Sequence, residues 1–393
     1  MTSLRLLPVP AGPAVLGVLP ALREALDGGP AVLPYAAHAQ PPGLPDEAVG
    51  VRGPGALPEG LALVVGTSGS TGSPKLAMLT ASALVASARA TDERLGGPGQ
   101  WLLPMAAHHI AGIQVLVRSL LAGTHPVAVD LSGGFTPTAF TAGAAALTGP
   151  RRYTSLVPTQ LVRLLADEAA TAALQAFDAI LLGGAASPPS LLSQAQAAGL
   201  RVVTTYGMSE TAGGCVYSGL PLAGVQVRAD DQGRLSLGGA TLAEGYLGRP
   251  DLTAAAFRTD PDGTRWFATD DIGHQDDAGA WHVDGRVDDL VNTGGLKVAP
   301  RLVEDAVAQH VPSVAECAVV GVPDAEWGEA VAAALVLRDG SRPPTLEDVR
   351  AALRGNLPDH ALPRRIAVLE ALPLRGPGKP DRIAVRAVFS GRS

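Results

Sequence analysis

The sequence predicts an α/β protein: a large N-terminal α/β domain with a β-rich subdomain, followed by a small C-terminal α+β domain. Three observations predict it. Short apolar runs alternate with alanine- and leucine-rich stretches of helical length, the pattern of layered α/β folds. From about Leu235 the texture changes to short segments with closely spaced turns, and after "GRVDDLVNTGG" the alternation resumes. In chain order, "LALVV" (61–65) reads as a buried strand and "PTQLVRLLADEAATAALQAF" (158–177) as helix. "AILLGG" (179–184) reads as a strand ending in a glycine turn, "PSLLSQAQAAG" (189–199) as a helix closed by glycine, and "RVVTTYG" (201–207) as a strand. "GRLSLGG", "DPDGTRWFATDDIG" and "DDAGAWHVDG" make up the β-rich part. The C-terminal part reads as helix ("PRLVEDAVAQH"), strand ("ECAVVGV", 316–322) and helix ("TLEDVRAALRGNL"), so the expected domains are 1–287 and 288–393.

With 393 residues, 47% hydrophobic and 17% charged, the chain has ample material for a large core and is not of disordered composition. A net charge of −7 argues against a nucleic-acid binder or a basic membrane-surface protein. Cys215 and Cys317 match no metal-ligand spacing and suggest neither a disulfide framework nor a zinc site. The apolar N-terminus is interrupted by Pro8, Pro10, Pro13 and Pro20, and no later run reaches membrane-spanning length, so a cytoplasmic protein without membrane insertion is expected. Only three of the 30 basic residues are lysines: Lys75, Lys297 and Lys379. Where arginine so dominates, each lysine marks a place where a compact ammonium could be needed against phosphate or carboxylate oxygens.

The stretch "VVGTSGSTGSPKLAML" (64–79) has the glycines, hydroxyls and lysine of a phosphate-gripping loop. It is not a Walker loop. There, lysine directly follows glycine and precedes a hydroxyl, whereas here Pro74 intervenes and Leu76 follows. Proline lacks an amide donor and biases Ser73 away from helical angles, so the chain cannot pass from glycine into helix. Taken alone, the loop is equally readable as a glycine-serine surface turn.

The order "TSGSTGSPK" resembles the phosphate-binding loop of the acyl-adenylate-forming superfamily, which comprises acyl-CoA synthetases, luciferases and peptide-synthetase adenylation domains. Further motifs in the same order carry the resemblance from about Leu61 to Arg386. It implies the acyl-adenylate-forming enzyme fold with a mobile C-terminal domain, and phosphate contacts for Thr67, Ser68, Gly69, Ser70, Thr71, Gly72 and Lys75. In "TTYGMSET" (204–211) it implies Tyr206 beside adenine, Ser209 on phosphate and Glu210 as a catalytic magnesium ligand; an aromatic face and a hard oxygen donor suit those tasks. "LLGGAAS" resembles the strand-end turn that places Gly183, Gly184 and Ala185 near adenine. "WFATDDIG" aligns Asp271 with the ribose-binding aspartate, with Asp270 replacing the usual glycine, an extra carboxylate tolerable near polyphosphate only if it points outward. The same resemblance assigns Arg286 to ribose, Asp288 to the interdomain hinge, and Lys379 of "GPGKPDR" (376–382) to the reacting centre. Lys297 is left between a CoA-phosphate contact and a solvated surface charge.

"PMAAHHIAGIQVLVRSLLAG" contains His108 and His109, which as adjacent residues would point to different faces and make no i,i+4 metal site. The resemblance implies an acyl-pocket role for His109, the alternative being a helix-start or core histidine. That segment, with "YGMSETAGGCVYSGLPLAGV", resembles the actinobacterial type of o-succinylbenzoate-CoA ligases of menaquinone biosynthesis. Gly213 and Gly214 would leave room for an aromatic ring, with Gly207 in the same pocket, Tyr217 would line it, and Arg118 is a candidate contact for the second carboxylate of the acid, the alternative being a helix-surface arginine. The substrates so implied are o-succinylbenzoate, ATP with Mg²⁺, and coenzyme A; a homodimer is left open. Alternatives are another aryl- or acyl-CoA ligase, or an adenylation enzyme loading a carrier protein.

Overall fold

In the computed structural model, the structure describes residues 3–41, 57–67, 75–374 and 380–390. The chain divides into two compact units. The first comprises 1–186, 194–228 and 236–269, and the second 187–193, 229–235 and 270–393.

Two sheets lie wholly within the first unit. In one, Leu4–Val9, Ala31–Ala36 and Leu61–Gly66 run parallel, and Leu76–Thr80 and Gly245–Tyr246 follow antiparallel. The strand expected at 61–65 is Leu61–Gly66, with Leu61 to Val65 all at or below 1% exposure. The other sheet has seven strands. Val127–Ala128, Gln100–Leu103, Arg152–Leu156, Ala179–Leu182 and Val202–Met208 lie parallel, and Gly213–Tyr217 and Leu220–Pro221 extend it antiparallel. Such parallel strands are covered on both faces and so read as continuous apolar runs, which is why "AILL" and "LALVV" are legible.

The helical stretch expected at 158–177 is two helices, Pro158–Leu165 and Glu168–Gln175. Asp167 breaks it: its Oδ1 accepts the Ala170 amide at 2.8 Å, an N-cap that restarts the helix.

The second unit is built on a sheet ordered Leu296–Val298, Val291–Thr293, Gly328–Leu337, Val314–Asp324, with Arg365–Leu369 parallel to Gly328–Leu337. Strand periodicity of two splits its core. Val319, Val331, Ala333 and Leu335 pack with Val303 and Val307 of helix Pro300–His310 and with Val349 and Leu353 of helix Leu346–Leu353. Ala318, Val320, Ala332 and Ala334 face the other way, onto Val385 and Phe389 of helix Arg382–Ser390. Strand Arg265–Gln275 passes from the first unit into the second; its distal half pairs antiparallel with Trp281–Arg286, from Asp271↔Arg286 to Gln275↔Trp281.

Candidate active site

In the first unit the strand Leu61–Gly66 turns back as Leu76–Thr80, and the Thr67 amide donates to the Lys75 carbonyl at 2.8 Å. The strands on either side of the glycine-rich segment are therefore antiparallel neighbours, and the element that follows it is a strand, not a helix. Thr67 and Lys75 stand at the two ends of that segment, while Ser68, Gly69, Ser70, Thr71 and Gly72 lie outside the described residues.

Strand Val202–Met208 delivers the next group. Its C-terminal end passes into the short 3-10 turn Ser209–Thr211, where Glu210 is 7% exposed. Ser209 Oγ donates to the Gly66 carbonyl at 3.1 Å, which ties this turn to the foot of the loop. The Tyr246 hydroxyl donates to Glu210 Oε1 at 2.8 Å, and Lys75 Nζ lies 5.3 Å from the centre of the same tyrosine ring. The backbone fixes both partners: the Ala243 amide donates to the Glu210 carbonyl, and the Leu247 amide to the Leu76 carbonyl, each at 2.8 Å. Lys75 and Glu210, far apart in sequence, thus meet at Tyr246, and Ser209 is tied to Gly66 next to Thr67. Tyr246 is absent from the sequence-based assignment, although "EGYLGRP" held an aromatic at a turn that could have drawn notice.

Gly183, Gly184 and Ala185 follow strand Ala179–Leu182. A side chain at Gly183 would meet Thr205 Oγ1 at 2.2 Å, so only glycine admits this approach. Half-buried Tyr206 pairs with Val216 across the adjoining strand. Gly207 pairs with Gly214, and a Cβ at Gly207 would fall 2.1 Å from the Gly213 carbonyl oxygen, again excluding any side chain.

His109 is the N-cap of helix Ile110–Ala122, with extended backbone (φ −107°, ψ 154°). The expectation that the two histidines diverge fails for that reason. The helix begins only after His109, and the two rings lie 4.2 Å apart. Burial and the neighbouring His109 and His38 lower the His108 pKa to about 4. In an unfolded chain the imidazole would titrate near 6.5, so protons bind the unfolded state preferentially between the two values. Stability contributed by neutral His108 is complete above about pH 6.5 and is lost as pH falls through 4. His108→Phe should flatten the acid side of a Tm-against-pH profile; an unchanged slope would count against this assignment.

Two expected pocket residues are enclosed. Tyr217 is 0% exposed, and its hydroxyl lies 3.0 Å from Thr91 Oγ1. Arg118 is 3% exposed; its Nη2 donates to the Tyr217 hydroxyl at 3.3 Å, and its guanidinium carbon lies 5.0 Å from the Trp101 ring centre. The reading of Arg118 as an open receptor for a carboxylate, and of Tyr217 as a pocket-lining hydroxyl, does not match this closed arrangement. The Tyr217 ring instead backs Gly214, where a Cβ would stand 3.0 Å from its edge. Gly213, with φ +99°, opens the strand Gly213–Tyr217. Burial pushes the Cys215 thiol up to about 12, which removes it as a nucleophile at neutral pH.

In the second unit, Asp271 Oδ1 and Arg286 Nη1 are 3.5 Å apart across paired strands. Asp270 is 46% exposed between Arg234 Nη2 (3.2 Å) and Arg286 Nη2 (3.5 Å), so the additional carboxylate points outward and is neutralised. Asp288 is exposed in the turn Val287–Asp289. Lys297 Nζ donates to Gln232 Oε1 at 2.9 Å on the surface. Lys379 lies outside the described residues, between Leu374 and Pro380. Leu374 bridges Pro380, the Asp381 amide donates to the Pro373 carbonyl at 2.8 Å, and Arg382 Nη1 donates to Glu304 Oε1 at 2.8 Å.

Residues 21–247 match the family model described as AMP-binding enzyme, and residues 302–379 match the AMP-binding enzyme C-terminal domain. The chain belongs to the AMP-binding enzyme family. This AMP-binding enzyme is 47% identical to a probable 2-succinylbenzoate–CoA ligase of Mycobacterium tuberculosis, over 99% of its own length and 100% of the relative's. It also resembles an o-succinylbenzoate CoA synthetase from Bacillus subtilis, solved in complex with the acyl-adenylate intermediate OSB-AMP. The identity is 26%, the TM-score 0.69, and the match covers 83% of this chain and 69% of that one. The same Bacillus subtilis protein, solved with ATP and a magnesium ion, matches at 26% identity and a TM-score of 0.67, over 82% and 69% of the two chains.

Among the described residues of this AMP-binding enzyme, no group of three or more His, Cys, Asp or Glu side chains could hold a metal ion, and no helix is long and apolar enough to cross a membrane. A single carboxylate fits the way Mg²⁺ is usually held, by one or two carboxylates together with waters and the phosphates of its nucleotide. Glu210 is suited to it, since its Oε1 is already oriented by Tyr246.

Proposed function

We propose that the enzyme is an AMP-forming acid–CoA ligase that converts o-succinylbenzoate, ATP and CoA to o-succinylbenzoyl-CoA, AMP and pyrophosphate in menaquinone biosynthesis. The convergence of Glu210, Tyr246 and Lys75 at the end of the glycine-rich segment supports the chemistry. The full-length likeness to the mycobacterial relative supports the choice of acid.

In the first half-reaction a carboxylate oxygen of the succinyl group attacks the α-phosphorus of ATP, and pyrophosphate leaves. Thr67, Lys75 and Ser209, with the glycine-rich segment, orient the leaving phosphates. Bound Mg²⁺ neutralises phosphate charge, and Glu210 is the side chain that would hold it. Lys379 places its ammonium between the attacking carboxylate and the α-phosphoryl oxygens, where charge develops. Tyr206 and the Gly183–Ala185 turn cover adenine, Asp271 and Arg286 take the ribose hydroxyls, and His109 with Gly207, Gly213 and Gly214 borders the acid.

In the second half-reaction the CoA thiol gives its proton to solvent, its sulfur bonds to the acyl carbon, and the acyl–oxygen bond to AMP breaks, releasing AMP. Domain 288–393 pivots about Asp288 between the two, withdrawing Lys379 and admitting the thiol. ATP–pyrophosphate exchange across a panel of carboxylic acids tests the reading. We expect the highest kcat/KM with o-succinylbenzoate; a preference for benzoate or a fatty acid would overturn the choice of acid. If free CoA were inert and a pantetheinylated protein accepted the acyl group, the enzyme would be a carrier-loading one.

A further inference from the structure

Ala212 adopts the left-handed conformation (φ 53°, ψ 33°), one of two non-glycine residues with positive φ among the described residues. A Cβ disfavours that region, so the surroundings must hold it. They do so through one carbonyl. The Ala212 oxygen accepts Ser87 Oγ at 3.0 Å and Gln114 Nε2 at 2.7 Å. The donors come from two helices, Ala81–Arg94 and Ile110–Ala122, and are 0% and 1% exposed. A carbonyl partner also dictates that the nitrogen of the Gln114 amide faces it. Ala212 itself is 0% exposed, two residues after Glu210 and immediately before the strand Gly213–Tyr217. Gln114 Cγ lies 3.4 Å from where a Cβ on Gly213 would stand.

We propose that Gln114 and Ser87 are positioning residues for acid activation. By clamping the Ala212 carbonyl they hold its left-handed turn and set the direction in which the chain leaves Glu210 and enters the glycine strand beside the acid. Neither touches a reacting atom. The inference rests on the reading that Glu210 and Gly213–Gly214 border the reacting groups.

The test is a rescue, because glycine reaches the left-handed region without a clamp. Gln114→Leu should lower kcat/KM for the acid by roughly 10²-fold, the scale of a small misplacement of catalytic groups. Adding Ala212→Gly should restore about tenfold or more of it, on the same scale. Activities are compared well below each variant's Tm, so that loss of folded protein does not enter. Unchanged kcat/KM in Gln114→Leu, or no rescue by Ala212→Gly, overturns the proposal. If Gln114→Leu does not fold, Ser87→Ala with and without Ala212→Gly gives the same two comparisons. A wild-type enzyme inert toward o-succinylbenzoate would instead overturn the functional reading, whereas an active wild type with an unimpaired Gln114→Leu sinks only the clamp.

Discussion

Lys379→Ala lowers acyl-adenylate formation by roughly 10²-fold or more and leaves the conversion of supplied o-succinylbenzoyl-adenylate to thioester close to wild type. The first half-reaction brings an anionic carboxylate to an anionic phosphate, and a compact ammonium between them offsets repulsion that grows as water is excluded. The second half-reaction begins from a carboxyl carbon already activated, with no such encounter. The chain supports this use of lysine: only three occur among 30 basic residues, and two of them, Lys75 and Lys379, fall in motifs assigned to ATP chemistry. Single-turnover assays of each half-reaction separate the outcomes, and equal loss in both would contradict the role of Lys379.

Glu210→Gln produces the second large effect, a fall of about 10²-fold or more in ATP-dependent adenylation, with a higher Mg²⁺ concentration needed for half-maximal rate. The substitution keeps volume and retains an oxygen for the Tyr246 hydroxyl, which in the native protein lies 2.8 Å from Glu210 Oε1. What it removes is the negative charge. Loss of packing is thereby kept small, and the effect reports on metal and phosphate charge. An unchanged Mg²⁺ dependence would show that Glu210 acts only as a buried structural carboxylate.

The parts of the site that were readable from sequence are those in which chemistry and backbone coincide in one short segment. "TSGSTGSPK" and "TTYGMSET" are each one short run of sequence, so the resemblance that carries their expected roles is visible without any tertiary contact. Tyr246 was not readable because its role arises only when strand Gly245–Tyr246 pairs with Leu76–Thr80 and brings its hydroxyl to a residue 36 positions away. Gln114 was hidden for a similar reason: in "HHIAGIQVLVRSLLAG" it looks like one polar residue in an apolar helix, and its partner Ala212 is 98 residues distant. Arg118 is the converse case. Its chemistry matched a carboxylate, but tertiary packing folds it against Tyr217 and Trp101. The single helix read at 158–177 failed at Asp167, where a local side-chain cap outweighed the continuous apolar periodicity.

In the proposed mechanism the acid is activated as an adenylate before CoA takes part. ATP–pyrophosphate exchange measured with o-succinylbenzoate and Mg²⁺ while CoA is withheld tests it most directly. Rapid exchange that depends on the acid and is abolished by EDTA is the expected result. Exchange that required CoA, or turnover yielding ADP and phosphate in place of AMP and pyrophosphate, would contradict it.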